Sequence, residues 1–280
     1  MSHPPTPSPT LIKPASIAQV RSIDLAQPLT WLRRGWIDML RSGWVSLLHG
    51  ALMALFGAAL LWLARGHFWL LAGAFSGFLL VAPILATSLY ALSCAAERGE
   101  PASLAIVLKT WLNWRDGRFA PWSIHHWRLM QFGVLLAAAG TAWVLISAGL
   151  ISVLAPQPIV TPQDFINHVV LAQEGFLFEL WLALGGILVA PIFASTVTTV
   201  PLLLDRDVGI QAAVASSWQV VLGNPFAMAL WGGLIMLLTL LGFASALLGL
   251  VLVVPLLGHA SWHAYRDLLD VSALPAREQR

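Results

Sequence analysis

The sequence predicts an all-α membrane protein in which six transmembrane helices form three tandem helical hairpins, each preceded by a cytoplasmic interfacial amphipathic helix. Three observations predict it: the composition, the length of the uncharged stretches, and a Pro-bearing string that recurs along the chain. Apolar residues make up 58% of the 280 and charged ones 10%, against roughly half and roughly a quarter in soluble domains. Surface that apolar has to face lipid or another helix. The formal charge of +2, with no basic run interleaved with aromatics, argues against nucleic acid as a partner.

A helix crossing hydrocarbon needs about twenty consecutive apolar residues, because each residue advances about 1.5 Å and unpaired backbone groups are too costly there. Uncharged stretches of that length occupy 42–64, 66–96, 129–163 and 180–204. A fifth, 226–265, is forty residues long. As one helix it would reach about 60 Å, twice the roughly 30 Å hydrocarbon core, so it has to turn back. Gly242, Ser245 and Gly249 mark that turn, giving helices at about 226–243 and 246–265.

Of the fifteen Lys and Arg, only Arg65 falls on one side of this scheme; the others share the opposite side. By the positive-inside rule the rich side is the cytoplasm, which puts both termini there. The outer loop 155–179 carries Asp164, Glu174 and Glu179 with no Lys or Arg. It opens with Thr161-Pro162-Gln163-Asp164, a capping sequence that predicts a short amphipathic helix covering Phe165, Val169 and Phe176.

Residues 1–20 are Pro-rich, lack the apolar run of a cleavable signal, and read as a disordered cytoplasmic tail. Residues 21–270 form the membrane domain and 271–280 a second cytoplasmic tail. Cys94 is alone, a reduced thiol without a disulfide partner.

The repeat is carried by Leu80-Val-Ala-Pro-Ile-Leu-Ala-Thr-Ser88, which recurs as Leu188-Val-Ala-Pro-Ile-Phe-Ala-Ser-Thr196. Each is followed at equal distance by an acid–arginine pair, Glu97-Arg98 and Asp205-Arg206. Val253-Val-Pro-Leu-Leu257 before Arg266-Asp267 is a weaker third copy, so the repeats span about 28–98, 101–206 and 208–267. Each has an amphipathic lead-in. In the first, Leu32, Trp36, Met39 and Leu40 oppose Arg34, Asp38 and Arg41. In the second, Leu104, Val107, Leu108, Trp111 and Trp114 oppose Lys109, Asn113 and Asp116; in the third, Ile210, Val214, Trp218 and Val221 precede the break at Asn224-Pro225. Such helices lie flat in the headgroup layer, where most of the tryptophans also cluster.

Candidate chemistry concentrates in Gly258-His-Ala-Ser-Trp-His-Ala-Tyr-Arg-Asp267. His259, His263 and Asp267, at i, i+4 and i+8, line one helix face, and two imidazoles could hold a metal or a haem iron. His, Trp, Tyr and Arg are also what an interface favours, so His259, Trp262, His263, Tyr265, Arg266 and Asp267 are read first as an anchoring motif. No metal and no cofactor is expected; His259 and His263 are weak candidates, and His49, His125 or His126 would be guesses for a further ligand.

Pro83, Pro191 and Pro255 each free a carbonyl one turn earlier. Such breaks line transport pathways, and Thr87, Ser88, Ser195, Thr196 and Thr199 lie beside them. A tolerated kink is the preferred reading. Likewise the acid–arginine pairs could ring an inner mouth, but snorkelling to water is preferred. Gly73-x-x-x-Gly77 permits close helix contact. No Asp, Glu, Lys or Arg falls mid-span, where proton relays and ion pumps keep one. No phosphate-cradling glycine loop, His-Glu-x-x-His or Gly-x-Ser-x-Gly occurs, which argues against an enzyme.

At Pro201-Leu-Leu-Leu-Asp-Arg206, Asn224-Pro225 and Gly258 to Arg266 the sequence resembles an uncharacterised bacterial integral-membrane family, domain of unknown function 2189, over about residues 21–267. The resemblance implies a bacterial inner-membrane location and supplies no activity. The expectation is a non-enzymatic scaffold, accessory subunit or partner-binding module, in contact with the lipid bilayer and other membrane proteins. The alternatives are a small-solute transporter or channel, and a metal- or haem-linked redox accessory protein using His259 and His263.

Overall fold

The computed structural model describes residues 17–63, 67–112, 124–172 and 175–275. Most of the predicted N-terminal tail, Arg65, Asn113, Trp114, Asp116, Glu174 and the last five residues lie outside the described residues, as do the side chains of Pro83, Trp111, His125 and His126.

The chain is helical almost throughout. Pro28, in the first turn, opens α1 (Gln27–Ser42), which needs no N–H partner there. Gly43, at φ 55°, makes a turn that a side chain would strain, and α2 (Trp44–Leu63) follows. Next come α3 (Phe68–Leu85), α4 (Thr87–Glu97), α5 (Leu104–Leu112) and α6 (Ile124–Leu154). The outer loop holds α7 (Pro162–Phe165) and a π-helical turn, Ile166–Val170. Then α8 (Leu177–Thr196), α9 (Thr199–Asp205), α10 (Ile210–Gly223), α11 (Pro225–Ala244) and α12 (Leu250–Leu268) complete the fold.

Among the described residues, four helical stretches are long and apolar enough to cross a membrane: Trp44–Leu63, Trp127–Leu154, Leu177–Asp205 and Pro225–Ala244. That is two fewer than the six expected. The stretch 66–96 is divided at Ala86 into α3 and α4. In α12 the apolar N-terminal half gives way to His259, His263, Arg266 and Asp267. The predicted turn between the last two helices is present: Ser245 Oγ donates to the Gly242 carbonyl (2.8 Å) and accepts from the Gly249 N–H (2.7 Å). The prolines do not mark the breaks: Pro191 and Pro255 sit inside α8 and α12, and the chain breaks instead at Ala86 and at Val197-Thr198.

Less than half of each span is buried, and the largest core cluster draws only on one end of three of them, with Leu129, Val200, Met228 and Trp231. It lies at the end where α12 finishes, packed against α1, α2, α4, α9 and α11. Trp31, Trp231, Trp262 and Tyr265 are its largest fully buried side chains, with Trp31 meeting Trp231 edge-on at 5.5 Å. Two glycines let α12 approach closely. A Cβ on Gly35 of α1 would lie 2.7 Å from the Ala260 nitrogen, and one on Gly50 of α2 would collide with the Val251 carbonyl.

The first and last described segments of the chain meet beside this core. β1 (Gln19–Val20) pairs antiparallel with β2 (Leu269–Asp270), and Arg21 N–H donates to the Leu268 carbonyl (2.9 Å). The Arg21 guanidinium reaches the Asp270 carboxylate at 3.0 Å. Asn224 holds the strap from below, accepting from Ile23 N–H and donating to the Arg21 carbonyl.

In the outer loop the capping box forms as read: Thr161 Oγ1 accepts from Asp164 N–H, and Asp164 Oδ2 from Thr161 N–H. These bonds hold the exposed Asp164 carboxyl below its usual range. Phe165 and Val169 pack inward as expected, against Phe68, Trp181 and their neighbours. Phe176 is exposed instead, because it precedes α8 rather than continuing the loop helix.

Candidate functional site

The helical spacing places His259 and His263 one turn apart on α12, and the fold supplies their partners from three other elements. Both His259 nitrogens are engaged: Nε2 with Ser46 Oγ of α2 and Nδ1 with Ser93 Oγ of α4, each at 2.7 Å. Ser93 Oγ donates to Asp38 Oδ2 of α1 (2.8 Å), which His263 Nε2 also meets at 2.8 Å. His259, Ser46 and Ser93 are fully buried and Asp38 nearly so.

The protonation pattern follows from donor arithmetic. A carboxylate only accepts, so the single Ser93 hydroxyl hydrogen is spent on Asp38 and Ser93 must accept from His259. His259 therefore carries its proton on Nδ1, leaving Nε2 to accept from the Ser46 hydroxyl. The result is a one-directional chain from Ser46 through His259 and Ser93 to Asp38. A parallel link lies on α2, where His49 Nδ1 donates to the Val45 carbonyl (2.8 Å) and Nε2 accepts from Ser88 Oγ (2.7 Å). Burial would raise the Asp38 carboxyl, but hydrogen bonds from His263 and Ser93 outweigh it and hold the group below its ordinary value.

Chemically the order of groups matters. In a hydrolytic triad the imidazole stands between acid and hydroxyl and takes the hydroxyl proton. Here Ser93 stands between the acid and His259, so its proton is already committed to Asp38 and no base activates its oxygen. For a metal, a bond at either His259 nitrogen would displace a hydroxyl. Among the described residues no group of three His, Cys, Asp or Glu is placed to hold an ion.

The rest of the α12 motif is tied to other elements in the same way. Trp262 Nε1 donates to Glu97 Oε1 (3.0 Å), and Arg266 reaches Glu97 Oε2 at 3.4 Å. Tyr265 donates its hydroxyl to Asp205 Oδ2 (2.6 Å), beside the Arg206 guanidinium at 3.1 Å. Asp267 accepts from Gln27, from the Trp31 indole and from Arg34 of α1. The three acid–arginine pairs thus converge on the end of α12, with half-buried Asp205 and Asp267 and exposed Glu97 bridging elements; Arg98 turns away, to Glu100. Glu97, Arg98 and Arg266 are also exposed, as the snorkelling reading expects.

The Ser/Thr cluster forms a separate seam. Thr196 bonds back to the Ile192 and Phe193 carbonyls, and Thr199 to those of Ser195 and Ala213. Ser195 accepts from the Trp218 indole, and Thr198 N–H donates to Ser217 Oγ. Thr87 and Ser88 are buried at the other break, beside α2. A groove of about 750 Å³ opens elsewhere, between the starts of α6 and α10, and none of these hydroxyl residues lines it.

Asp38, Ser46 and Ser93 were not singled out from sequence. Asp38 was expected on the water-facing side of α1; it is buried along Trp31, Gly35 and Ser42, because its partners come from α4 and α12. Their only sequence signal is small or polar residues at helical spacing on that same side. Met39, expected with Trp36 and Leu40, is also buried, whereas Trp36 and Leu40 are exposed. In α10 the buried side is Ala213, Ser216, Ser217 and Val220, mostly small or polar, rather than the Ile210, Val214, Trp218, Val221 stripe.

Residues 70–205 match the model of a family described as predicted integral membrane protein (DUF2189). The match is narrower than the 21–267 read from sequence: it includes Pro201 to Asp205 but not Asn224-Pro225 or the α12 motif. No curated protein and no solved structure matches the chain.

Proposed function

From the integral-membrane family of residues 70–205, we propose that the chain crosses a bacterial inner membrane six times and is a non-enzymatic module: a scaffold, accessory subunit or partner-binding unit. In this reading α3 with α4, and α12, are the two further crossings, and the three repeats end together on the cytoplasmic side. Pairing of β1 with β2 supports it, since ends held in one sheet require an even number of crossings. The one-sided distribution of Lys and Arg supports a cytoplasmic location for those ends.

The observation that carries the module reading is the division of α1 into three faces. Trp31, Gly35 and Asp38 face the core; Arg34 and Arg41 face outward; Leu29, Trp36 and Leu40 form an exposed apolar stripe with Arg33 within it. A helix fixed to a packed core, with a greasy stripe and basic flanks, is built to lie in an anionic headgroup layer. Meanwhile the polar groups of α12 are used to fasten neighbouring elements. Passage of a solute has weaker support, since Thr196 and Thr199 turn to helix carbonyls. Redox use of His259 has weaker support too, both its nitrogens being occupied.

Single cysteines in a Cys94→Ala background, labelled in intact membranes with an impermeant maleimide, test this. Cysteines at Arg41 and Ser272 should react only from the cytoplasmic side and one at Pro158 only from the outside, with Leu40→Cys protected. Leu40→Cys labelling as fast as Arg41→Cys, or Pro158 and Ser272 reacting from the same side, sinks the proposal.

A further inference from the structure

The chain changes surroundings at Val197-Thr198. Before this break α8 buries only Leu177 and Ala194; after it, α9 buries every residue from Thr199 to Leu203. Both helices belong to one candidate span, Leu177–Asp205. The break therefore lies where backbone groups have no bulk water to turn to, and each of them needs a partner.

Two carbonyls are left over. In a continuous helix the Thr198 N–H would serve the Ala194 carbonyl, but it turns to Ser217 Oγ of α10 at 3.2 Å. Pro201 stands where the donor to the Val197 carbonyl would be, and proline has no N–H. No other donor among the described residues reaches either oxygen. The carbonyls beside them are filled: Phe193 accepts from the Val197 N–H and from Thr196 Oγ1, and Ser195 accepts from Thr199 Oγ1 at 2.6 Å. Thr198 adds a third unmatched group. It is fully buried, and its Oγ1 is the one buried side-chain oxygen or nitrogen among the described residues that has no hydrogen-bond partner. Thr196 and Thr199 bond back to the preceding turn, whereas Thr198, at φ −122° and ψ −7°, has left the helical path.

We propose that this break is a binding site for one ordered water, which accepts from the Thr198 hydroxyl and donates to the Ala194 and Val197 carbonyls. Carbonyls of helical residues point along the axis toward the residue four places on, so these two point at the segment 198–201, from which the Thr198 side chain springs. Donor arithmetic selects the ligand. The three groups present one hydrogen and two acceptor oxygens, and a water supplies two hydrogens and a lone pair to match them. A sodium or potassium ion would take the oxygens but leave the hydroxyl hydrogen buried without an acceptor. It would also lack a countercharge on α9, where Asp205 is already bonded to Tyr265 and Arg206. A primary ammonium only donates, and leaves the same hydrogen stranded. The water fastens the turn through which the chain passes from the exposed span into the core.

The sign of a stability change tests this, because deleting a bridged hydroxyl destabilises a fold while deleting an unsatisfied one stabilises it. In full-length protein in detergent, Thr198→Val keeps the side-chain shape, loses the hydroxyl, and should lower the unfolding temperature by about 2–4 °C. The drop should be the same in sodium, potassium and choline chloride at equal ionic strength. A crystal structure of the natural protein that shows ordered water should hold a peak within about 3 Å of Thr198 Oγ1 and of both carbonyl oxygens, which decides the matter even if the variant does not fold. An unfolding temperature that rises or stays level in Thr198→Val, or no peak at the break, overturns the proposal. So does a drop that is larger in sodium or potassium than in choline, which would assign the site to a cation.

Discussion

At Asp38 the buried chain of hydroxyls and imidazoles ends in a charge. The carboxylate is bonded by Ser93 and His263 and is almost free of solvent, and an amide in its place keeps one acceptor oxygen but lacks the charge and brings an NH2 that can only donate. Hydrogen bonds to a charged group are worth about 1.5–3 kcal/mol, and Asp38→Asn should lower the unfolding temperature in detergent accordingly. The pH dependence has a definite sign. A carboxyl whose folded pKa lies below its unfolded value, about 3.9, stabilises the fold above that value and loses its contribution as pH falls through the folded pKa. The unfolding temperature of the natural protein should therefore drop below about pH 4, and Asp38→Asn should make that drop shallower. It should not abolish it, because Asp164 and Asp270 are held low as well. An Asp38→Asn variant with unchanged stability and the same acid profile would show that the charge is not held where the geometry has it. His259 and His263 were legible as a pair because i, i+4 spacing is local. Asp38 was not, since its imidazole partner lies 225 residues away and an isolated Asp on an amphipathic helix reads as solvent-facing.

The helix that organises the molecule, α12, was the least membrane-like of the six expected spans, and for one physical reason. Its second half trades hydropathy for side chains that reach sideways: Trp262 and Arg266 to α4, His263 and Asp267 to α1, Tyr265 to α9. Hydropathy alone scores such residues as interface, whereas here buried partners satisfy them. Backbone proximity is the other half of the device, and it predicts which glycines matter. A side chain at Gly35 would meet the Ala260 backbone, which cannot rotate away, so Gly35→Leu should destabilise by about 1–3 kcal/mol through overpacking and lower the yield of monodisperse protein. Gly77→Ala is the contrast, since nothing lies within 4 Å of its Cβ position. That change should be neutral or slightly stabilising, because Ala exceeds Gly in helix propensity by about 1 kcal/mol. Equal effects at the two sites would contradict the packing of α1 on α12. The Gly-x-x-x-Gly motif pointed at Gly73 and Gly77, of which only Gly73 has a neighbour, Val144 at 3.7 Å. The glycines that fit α12 carry no motif, because the residue they accommodate is far along the chain.

For the molecule as a whole, a helical membrane protein was legible in the sequence, since lipid constrains composition and span length more tightly than water does. How the helices meet was not legible. The convergence of Glu97, Asp205 and Asp267 on α12, and the strap that seals it, are long-range contacts with no periodic signature. That strap makes a claim about the entire path of the chain. Gln19 stands opposite Asp270 in the two-stranded sheet, and Cβ atoms of directly opposed residues lie about 4.5–5.5 Å apart, close to disulfide distance. In a Cys94→Ala background, Gln19→Cys with Asp270→Cys should therefore form an intrachain bond in intact membranes on mild oxidation, seen as faster migration on a non-reducing gel. Closing a loop of roughly 250 residues should also raise the unfolding temperature, by an amount that native-state strain reduces. Moving one cysteine to Pro158 should eliminate the bond, since in the six-crossing topology that loop and Asp270 lie on opposite faces of the bilayer. A pair at 19 and 270 that stays reduced while a 158 and 270 pair oxidises would place the ends of the chain on different sides and give an odd number of crossings.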